Sequence, residues 1–219
     1  MESEVFKRTS SEGTVINAHL YNFIIGMTLC WGFFINWIMV EGIDPTTLSH
    51  INPILFFIGY LGCCFLGIYL FKKSSNPLVS FLGYNLVVIP FGFIINIVVA
   101  QYDPQVVLEA IQVTFVVTAA MMILGTLFPK FFQKIVVALT IALVLVIIFE
   151  LVSIFFLKTQ YGIVDWIVVL IFCGYIGYDW GRANQIPKTV DNAIDSAAAL
   201  YMDIINLFLR LLRIMGRRK

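Results

Sequence analysis

The sequence predicts an all-α integral membrane protein, folded as a bundle of seven transmembrane helices. Of the 219 residues, 60% are apolar and only 12% are charged, whereas soluble domains carry roughly one quarter charged residues. The mean hydropathy is +0.94. A membrane-spanning helix needs about 20 apolar residues, and the polar connections between the apolar stretches are short. We therefore expect a single transmembrane domain over residues 1–219.

Seven apolar stretches, bounded by charged residues, prolines and glycines, define the predicted helices. Their approximate ranges are 17–40, 52–71, 78–100, 106–128, 135–157, 162–180 and 197–215. Pro90 lies inside the third stretch and predicts a kink. Glycines within the spans predict close contacts between helices; these are Gly59, Gly62, Gly67, Gly92, Gly174 and Gly177.

Basic residues flank the predicted helices asymmetrically. Lys7 and Arg8 precede the first helix, whereas Lys158 is the single basic residue in the loops on the opposite side. Further basic residues follow the second, fourth and sixth helices: Lys72, Lys73, Lys130, Lys134, Arg182 and Lys188. Because cytoplasmic loops are enriched in Lys and Arg, we expect a cytoplasmic N-terminus. The first 16 residues lack an apolar core, so no cleaved signal peptide is expected. Short loops favour a bacterial inner membrane over the endoplasmic reticulum.

The seventh stretch carries a polar stripe. Asp203, Asn206, Arg210, Arg213 and Arg217 follow each other at steps of three and four residues, which places them on one face of a helix. Such a face will not contact lipid. We expect this helix either to lie at the centre of the bundle or to enter the membrane and return, and its sequence leaves the side of the C-terminus open.

Two aspartates, Asp179 and Asp203, lie near the ends of the last two apolar stretches. A carboxylate in a bilayer costs about 2.5–3.5 kcal/mol even on lenient insertion scales, so it usually faces a partner, a cavity or a transport path. Two carboxylates held close together at low dielectric cannot both ionise cheaply. The pair therefore predicts a proton-sensitive switch. In the alternative, Asp179 caps its helix in interfacial water and Asp203 pairs with Arg210.

Several functional classes are disfavoured by the sequence. A net charge of +1 gives no case for nucleic acid binding. Two histidines, His19 and His50, and four cysteines without zinc spacing suggest no tightly bound metal and no cofactor. Di-aspartyl intramembrane proteases use Tyr-Asp and Gly-x-Gly-Asp motifs, but Leu-Tyr-Met precedes Asp203 here. We therefore do not expect an enzyme.

The C-terminal segment from Tyr178, YDWGRANQIPKTVDNAIDSAAALYMDIINLFLRLLR, resembles the signature of the Bax inhibitor-1 family. The likeness rests on Tyr178-Asp179 and on Leu200-Tyr201-Met202-Asp203 followed by Asn206-Leu207-Phe208, with a weaker match in VVLEAIQVTFVV of the fourth helix.

This resemblance implies a pH-sensitive calcium leak in the lipid bilayer, gated by a proton-dependent hydrogen bond between Asp179 and Asp203, with Ca²⁺ as the transported ion. In bacterial members an arginine after the second helix latches onto the first aspartate. Here Lys72 and Lys73 occupy that region, and lysine lacks the bidentate fork of arginine.

Other acidic residues in the spans are candidates for a cation path. Glu109, Glu150 and Asp165 fall in the outer half under the expected orientation, and carboxylates are suitable hard ligands for calcium. Glu109 and Asp165 can instead be ordinary interfacial polar residues, whereas Glu150 lies deeper in its span. The functional alternative is a non-conducting membrane regulator that binds a membrane protease or a cell-death protein, although the sequence identifies no protein partner.

Overall fold

A computed structural model describes residues 14–46, 52–153 and 162–217. Over these ranges the chain folds into seven α-helices and forms no β-strand. The helices are α1 (Ala18–Gly42), α2 (Pro53–Lys73), α3 (Pro77–Val99), α4 (Pro104–Leu127), α5 (Pro129–Val152), α6 (Gly162–Ala183) and α7 (Val190–Gly216). The prediction of an all-helical chain with seven helices is therefore confirmed.

Local sequence explains where several helices begin. Proline is the first residue of α2, α3, α4 and α5, a position where its missing N–H would be unpaired in any case. Side chains of Asn17, Asn76 and Asp103 accept hydrogen bonds from backbone N–H groups in the first turns of α1, α3 and α4. The apolar runs alone place the starts of α5 and α7 too late, because polar and charged residues interrupt the first two turns of each helix.

Six helices, α1 to α6, are long and apolar enough to cross a membrane, and the protein is a multi-pass integral membrane protein. Within α5 only Phe132 is buried, so its apolar surface suits contact with lipid. The seventh helix differs from these six. It carries five charged side chains, yet no residue of Val190–Gly216 is exposed.

The chain divides into two compact units, and the first comprises residues up to Gln101 together with Ile186–Tyr201. In this unit α3 packs against both α1 and α2. The contact between α2 and α3 is close, because a Cβ atom added to Gly67 would lie 2.5 Å from the carbonyl oxygen of Gly83. Gly92 of α3 likewise faces the side chains of Met39 and Asn36.

Buried hydrogen bonds join the first half of α7 to the other helices of this unit. The Tyr201 hydroxyl donates to Asn36 Oδ1 over 2.6 Å, and the Ser80 hydroxyl donates to Asp191 Oδ1 over 2.6 Å. Tyr21 and Ser196 hydroxyl oxygens lie 3.1 Å apart. Because buried polar groups are costly unless paired, these bonds define how this half of α7 packs.

The second unit comprises Tyr102–Gln185 and the residues from Met202 onward. Here α6 packs against α4 and α5. A Cβ atom on Gly177 would collide with the ring of Phe132, and one on Gly174 would meet Leu139. The predicted glycine contacts are thus confirmed at Gly67, Gly92, Gly174 and Gly177.

The same prediction is wrong for Gly59 and Gly62. A Cβ atom on either would meet nothing within 4 Å among the described residues. Both lie on an exposed face of α2, and sequence alone does not distinguish such a glycine from one at a helix contact.

Candidate functional site

The two aspartates singled out by the sequence lie together in the second unit. A hydrogen bond joins the side chains of Asp179 on α6 and Asp203 on α7. Asp203 is 7% exposed, and its buried Oδ2 atom has no hydrogen-bond partner among the described residues. Asp179 is half-buried. A hydrogen bond between two carboxyl groups requires a proton on one of them.

Tyr175 stands beside this pair, one helical turn before Asp179. It interacts electrostatically with both carboxyl groups, and its hydroxyl donates to Thr140 Oγ1 of α5 over 2.9 Å. Through this hydrogen bond Tyr175 connects α6 to α5. Sequence reasoning missed Tyr175, although its spacing of four residues from Asp179 was a usable signal.

Arg210 and Arg213 of α7, together with Arg217 just after it, converge on two acidic side chains near the end of α6 opposite Asp179. These are Glu150 of α5 and Asp165 of α6. Arg210 forms a bidentate pair with Glu150, in which Nη2 lies 2.8 Å from Oε2 and Nη1 also contacts Oε1. The same Arg210 Nη1 atom donates to Asp165 Oδ1 over 3.0 Å. Bidentate arginine–carboxylate pairs are among the strongest ionic contacts in proteins.

Asp165 is the centre of this group. Arg213 Nη1 donates to its Oδ1 atom over 3.2 Å. Arg217 Nη1 lies 2.8 Å from Oδ2 as an ion pair, but without the alignment of a hydrogen bond, since that oxygen has no hydrogen-bond partner among the described residues. The Asp165 side chain is only 2% exposed. Three guanidinium groups thus neutralise a buried carboxylate. We call Glu150, Asp165, Arg210, Arg213 and Arg217 the arginine cluster.

Comparison with known proteins identifies the family. Residues 14–219 match the family model described as "Inhibitor of apoptosis-promoting Bax1".

The chain belongs to the Bax inhibitor-1 family.

Relatives of this Bax inhibitor-1 member occur in plants and bacteria. Protein LIFEGUARD 4 of Arabidopsis thaliana is 32% identical over 150 residues, and the match covers 66% of this chain and 60% of the plant protein. A BI1-like protein of the same plant is 29% identical over 143 residues, covering 63% of this chain and 55% of the relative. The chain therefore spans about 60% of the length of LIFEGUARD 4. An uncharacterised membrane protein of Streptococcus pyogenes serotype M6 is 26% identical over 217 residues, with 91% of both chains covered.

In this Bax inhibitor-1 chain the predicted site residues fall into separate places. Glu150 and Asp165 meet in the arginine cluster, whereas Glu109 accepts a hydrogen bond of 3.3 Å from Gln105 Nε2 on its own helix. Asn206 donates to the carbonyl oxygen of Met202 over 2.7 Å, also within its own helix. The acidic path predicted from Glu109, Glu150 and Asp165 stays a prediction.

The alternative pairing of Asp203 with Arg210 is disfavoured by these contacts. Arg210 is bound to Glu150 and Asp165, and Asp203 is bonded to Asp179. The spacing of the polar stripe correctly indicated that Arg210, Arg213 and Arg217 lie on one side, but it could not identify Glu150 and Asp165 as their partners.

The lysines of the predicted latch lie at the end of α2. Lys73 Nζ donates to the Tyr69 hydroxyl over 2.8 Å, and Lys72 has contacts of its own. The latch between these lysines and Asp179 stays a prediction. For metals, residues 14–46, 52–153 and 162–217 contain no group of three or more His, Cys, Asp or Glu side chains that could hold an ion.

Proposed function

We propose that this protein is a pH-sensitive passive calcium leak, gated by Asp179 and Asp203. The observation that carries the proposal is their mutual hydrogen bond within a membrane-spanning family member. A bonded carboxyl pair between two helices has two discrete electrostatic states. With a shared proton the two carboxyl groups attract each other. Without that proton, their two negative charges repel each other at low dielectric.

In this mechanism, proton loss causes α6 to move relative to α7. Repulsion between Asp179 and Asp203 pushes the cytoplasmic half of α6 away from α7, or transfers Asp179 to the cation of Lys72 or Lys73. Such a local charge change biases a two-state helix contact, which is the general basis of protonation switches. Tyr175 and Thr140 connect the same event to α5.

The proposed topology places the N-terminus in the cytoplasm and lets α7 cross the membrane at the centre of the bundle. The absence of any exposed residue in Val190–Gly216 supports a central position. Within the second unit, Asp203 lies beside Asp179, and Arg217 lies at Gly162, the first residue of α6. The second half of α7 therefore runs antiparallel along α6. The near full-length bacterial match favours a bacterial inner membrane.

An ion path past Glu150 and Asp165 requires these carboxylates to separate from their arginine partners. Arginines neutralise Glu150 and Asp165, so these carboxylates are not available as calcium ligands in this arrangement. Calcium would pass them only after Arg210, Arg213 and Arg217 move. In this proposal the arrangement is a closed form of the leak. Glu109 is the one residue of the predicted acidic path that lies outside the arginine cluster.

Calcium uptake by liposomes tests the proposal. Purified protein is reconstituted into vesicles loaded with a calcium-sensitive dye, and external calcium is added. We expect uptake above that of protein-free vesicles and a rate that varies with pH. Uptake equal to that of empty vesicles at every pH would contradict the leak.

The family description favours one alternative from a different class. A family named for an inhibitor of apoptosis-promoting Bax1 is compatible with a non-conducting regulator that binds a membrane protease or a cell-death protein through its helices. A regulator predicts no calcium uptake in the liposome experiment, so the same measurement separates the two functions.

A further inference from the structure

The arginine cluster has an unbalanced charge. Arg210, Arg213 and Arg217 contribute three positive charges, and Glu150 and Asp165 contribute two negative charges. The cluster thus carries a net charge of +1, although Glu150 and Asp165 were predicted from the sequence to line a cation path. An excess of positive charge in a partly desolvated site attracts an anion instead.

Two of the three arginines have unused donors. Arg210 engages both terminal nitrogens. Arg213 and Arg217 each direct only Nη1 at Asp165, and their Nη2 and Nε groups contact no acceptor in the described part of the chain. A guanidinium presents five N–H donors in a rigid fork. These two side chains are 39% and 37% exposed, so the remaining donors are accessible.

The cluster lies at one end of the second unit's helices. Glu150 is in the last turn of α5, Asp165 is in the first turn of α6, and Arg213 is in the last turn of α7. Ends of membrane-spanning helices reach the headgroup region, which lies just outside a hydrocarbon core of about 30 Å. Lipid phosphates occupy the same depth.

Further basic residues occur in the neighbouring sequence. The chain between α5 and α6, residues 153–161, includes Lys158 and no acidic residue, and Arg218 and Lys219 follow directly after Arg217.

We propose that Arg213 and Arg217 form a binding site for a phosphate group, with Asp165 holding both guanidinium groups in place. Paired arginine forks match the oxygens of a phosphate bidentately. A phosphodiester carries one negative charge, which balances the net +1 of the cluster. The source of the phosphate is either an anionic lipid headgroup or free phosphate. This inference stands on the arginine cluster alone and holds whether or not the protein conducts calcium.

Native mass spectrometry of the purified full-length chain tests the proposal. The ligands are phosphatidylglycerol, diacylglycerol as its phosphate-free counterpart, and inorganic phosphate. We expect wild type to retain phosphatidylglycerol but not diacylglycerol. The double variant Arg213→Gln/Arg217→Gln should lower retention about tenfold or more, since hydrogen bonds between charged groups contribute about 1.5–3 kcal/mol. The matched control Lys130→Gln/Lys134→Gln, which removes two cations near the start of α5, should retain the lipid as wild type does.

Each outcome decides the proposal. Equal retention by wild type and the arginine double variant would overturn it, and so would failure of wild type to bind either phosphate compound. Displacement of the lipid by inorganic phosphate, with wild type but not the variant binding phosphate alone, identifies free phosphate as the ligand of the same site. Lipid retention that phosphate does not displace identifies the headgroup. If the double variant does not fold, Arg217→Gln alone serves, because its ion pair lacks hydrogen-bond alignment.

Discussion

At the scale of single residues, Asp165 is the member of the arginine cluster with the most ionic partners. Its carboxylate is 2% exposed and is contacted by Arg210, Arg213 and Arg217. Burying a charge is expensive, and removing one partner of a buried ion pair leaves the others uncompensated. We therefore expect Asp165 to stabilise the fold, in addition to being a candidate for the ion path.

Replacing Asp165 by Asn tests this role. We expect Asp165→Asn to lower the free energy of unfolding by about 3–5 kcal/mol, because three guanidinium groups lose their shared counter-charge. Unfolding by sodium dodecyl sulfate titration measures the change. Glu109→Gln is the matched control, because Glu109 is half-buried and lies outside the arginine cluster, and it should lose much less. Equal losses in the two variants would contradict the structural role of Asp165.

The site was partly predictable from individual residues. Asp179 and Asp203 could be predicted because a charged side chain in an apolar stretch is costly and usually has a functional role. The partners of the arginines were not found, because helical spacing identifies a face of one helix but not the residue that meets it. Tyr175 was missed because a tyrosine in an apolar helix is usually part of the packing.

At the scale of helices, α4 and α6 approach each other through glycines. A Cβ atom on Gly125 would collide with the backbone of Gly177, and one on Gly181 would lie 2.8 Å from the carbonyl oxygen of Gly125. Without a hydrophobic force between helices in lipid, association depends on such close packing. This contact fixes α6, and hence Asp179, against α4.

Adding one methyl group at this contact should separate the helices. We expect Gly125→Ala to destabilise the protein by about 1–3 kcal/mol, the usual range for overpacking, because the obstructing atoms belong to the backbone. Gly59→Ala, where a Cβ atom meets nothing within 4 Å among the described residues, should change stability by less than about 0.5 kcal/mol. Thermal unfolding in detergent compares the two variants. A Gly125→Ala protein as stable as Gly59→Ala would contradict the packing.

The helices were more predictable than their contacts. The lengths of the apolar stretches predicted the number and approximate limits of all seven helices, because helices that span a bilayer have similar lengths. The starts at Pro129 and Val190 were missed, since a helix can begin in polar sequence that hydropathy alone excludes. The glycines at contacts, such as Gly67, could not be separated from exposed ones such as Gly59.

At the scale of the whole molecule, the proposed crossing of α7 runs against the distribution of basic residues. A crossing helix puts Arg210, Arg213 and Arg217 on the side opposite a cytoplasmic N-terminus, contrary to the positive-inside tendency. Pairing of these arginines with Glu150 and Asp165 offsets much of that cost. The sequence could not resolve this point, because the pairing depends on contacts with α5 and α6.

The side of the C-terminus tests the crossing. Seven crossings place the two termini on opposite sides of the membrane, so a reporter fused after Lys219 should report the outer side. A reporter fused before Met1 should report the cytoplasm. Two reporters on the same side would contradict a crossing α7 and favour a re-entrant helix.

The central claim is that one proton, shared by Asp179 and Asp203, controls calcium passage. The most direct measurement is the pH profile of calcium uptake by liposomes containing wild type, Asp179→Asn, Asp203→Asn or the control Glu41→Gln, which changes an exposed acidic residue of α1. We expect uptake by wild type and Glu41→Gln to change with pH, because proton loss replaces the hydrogen bond of the carboxyl pair with repulsion between two like charges. Both aspartate variants should give a flat profile. A wild-type pH profile in both aspartate variants would place the sensor elsewhere and contradict the account.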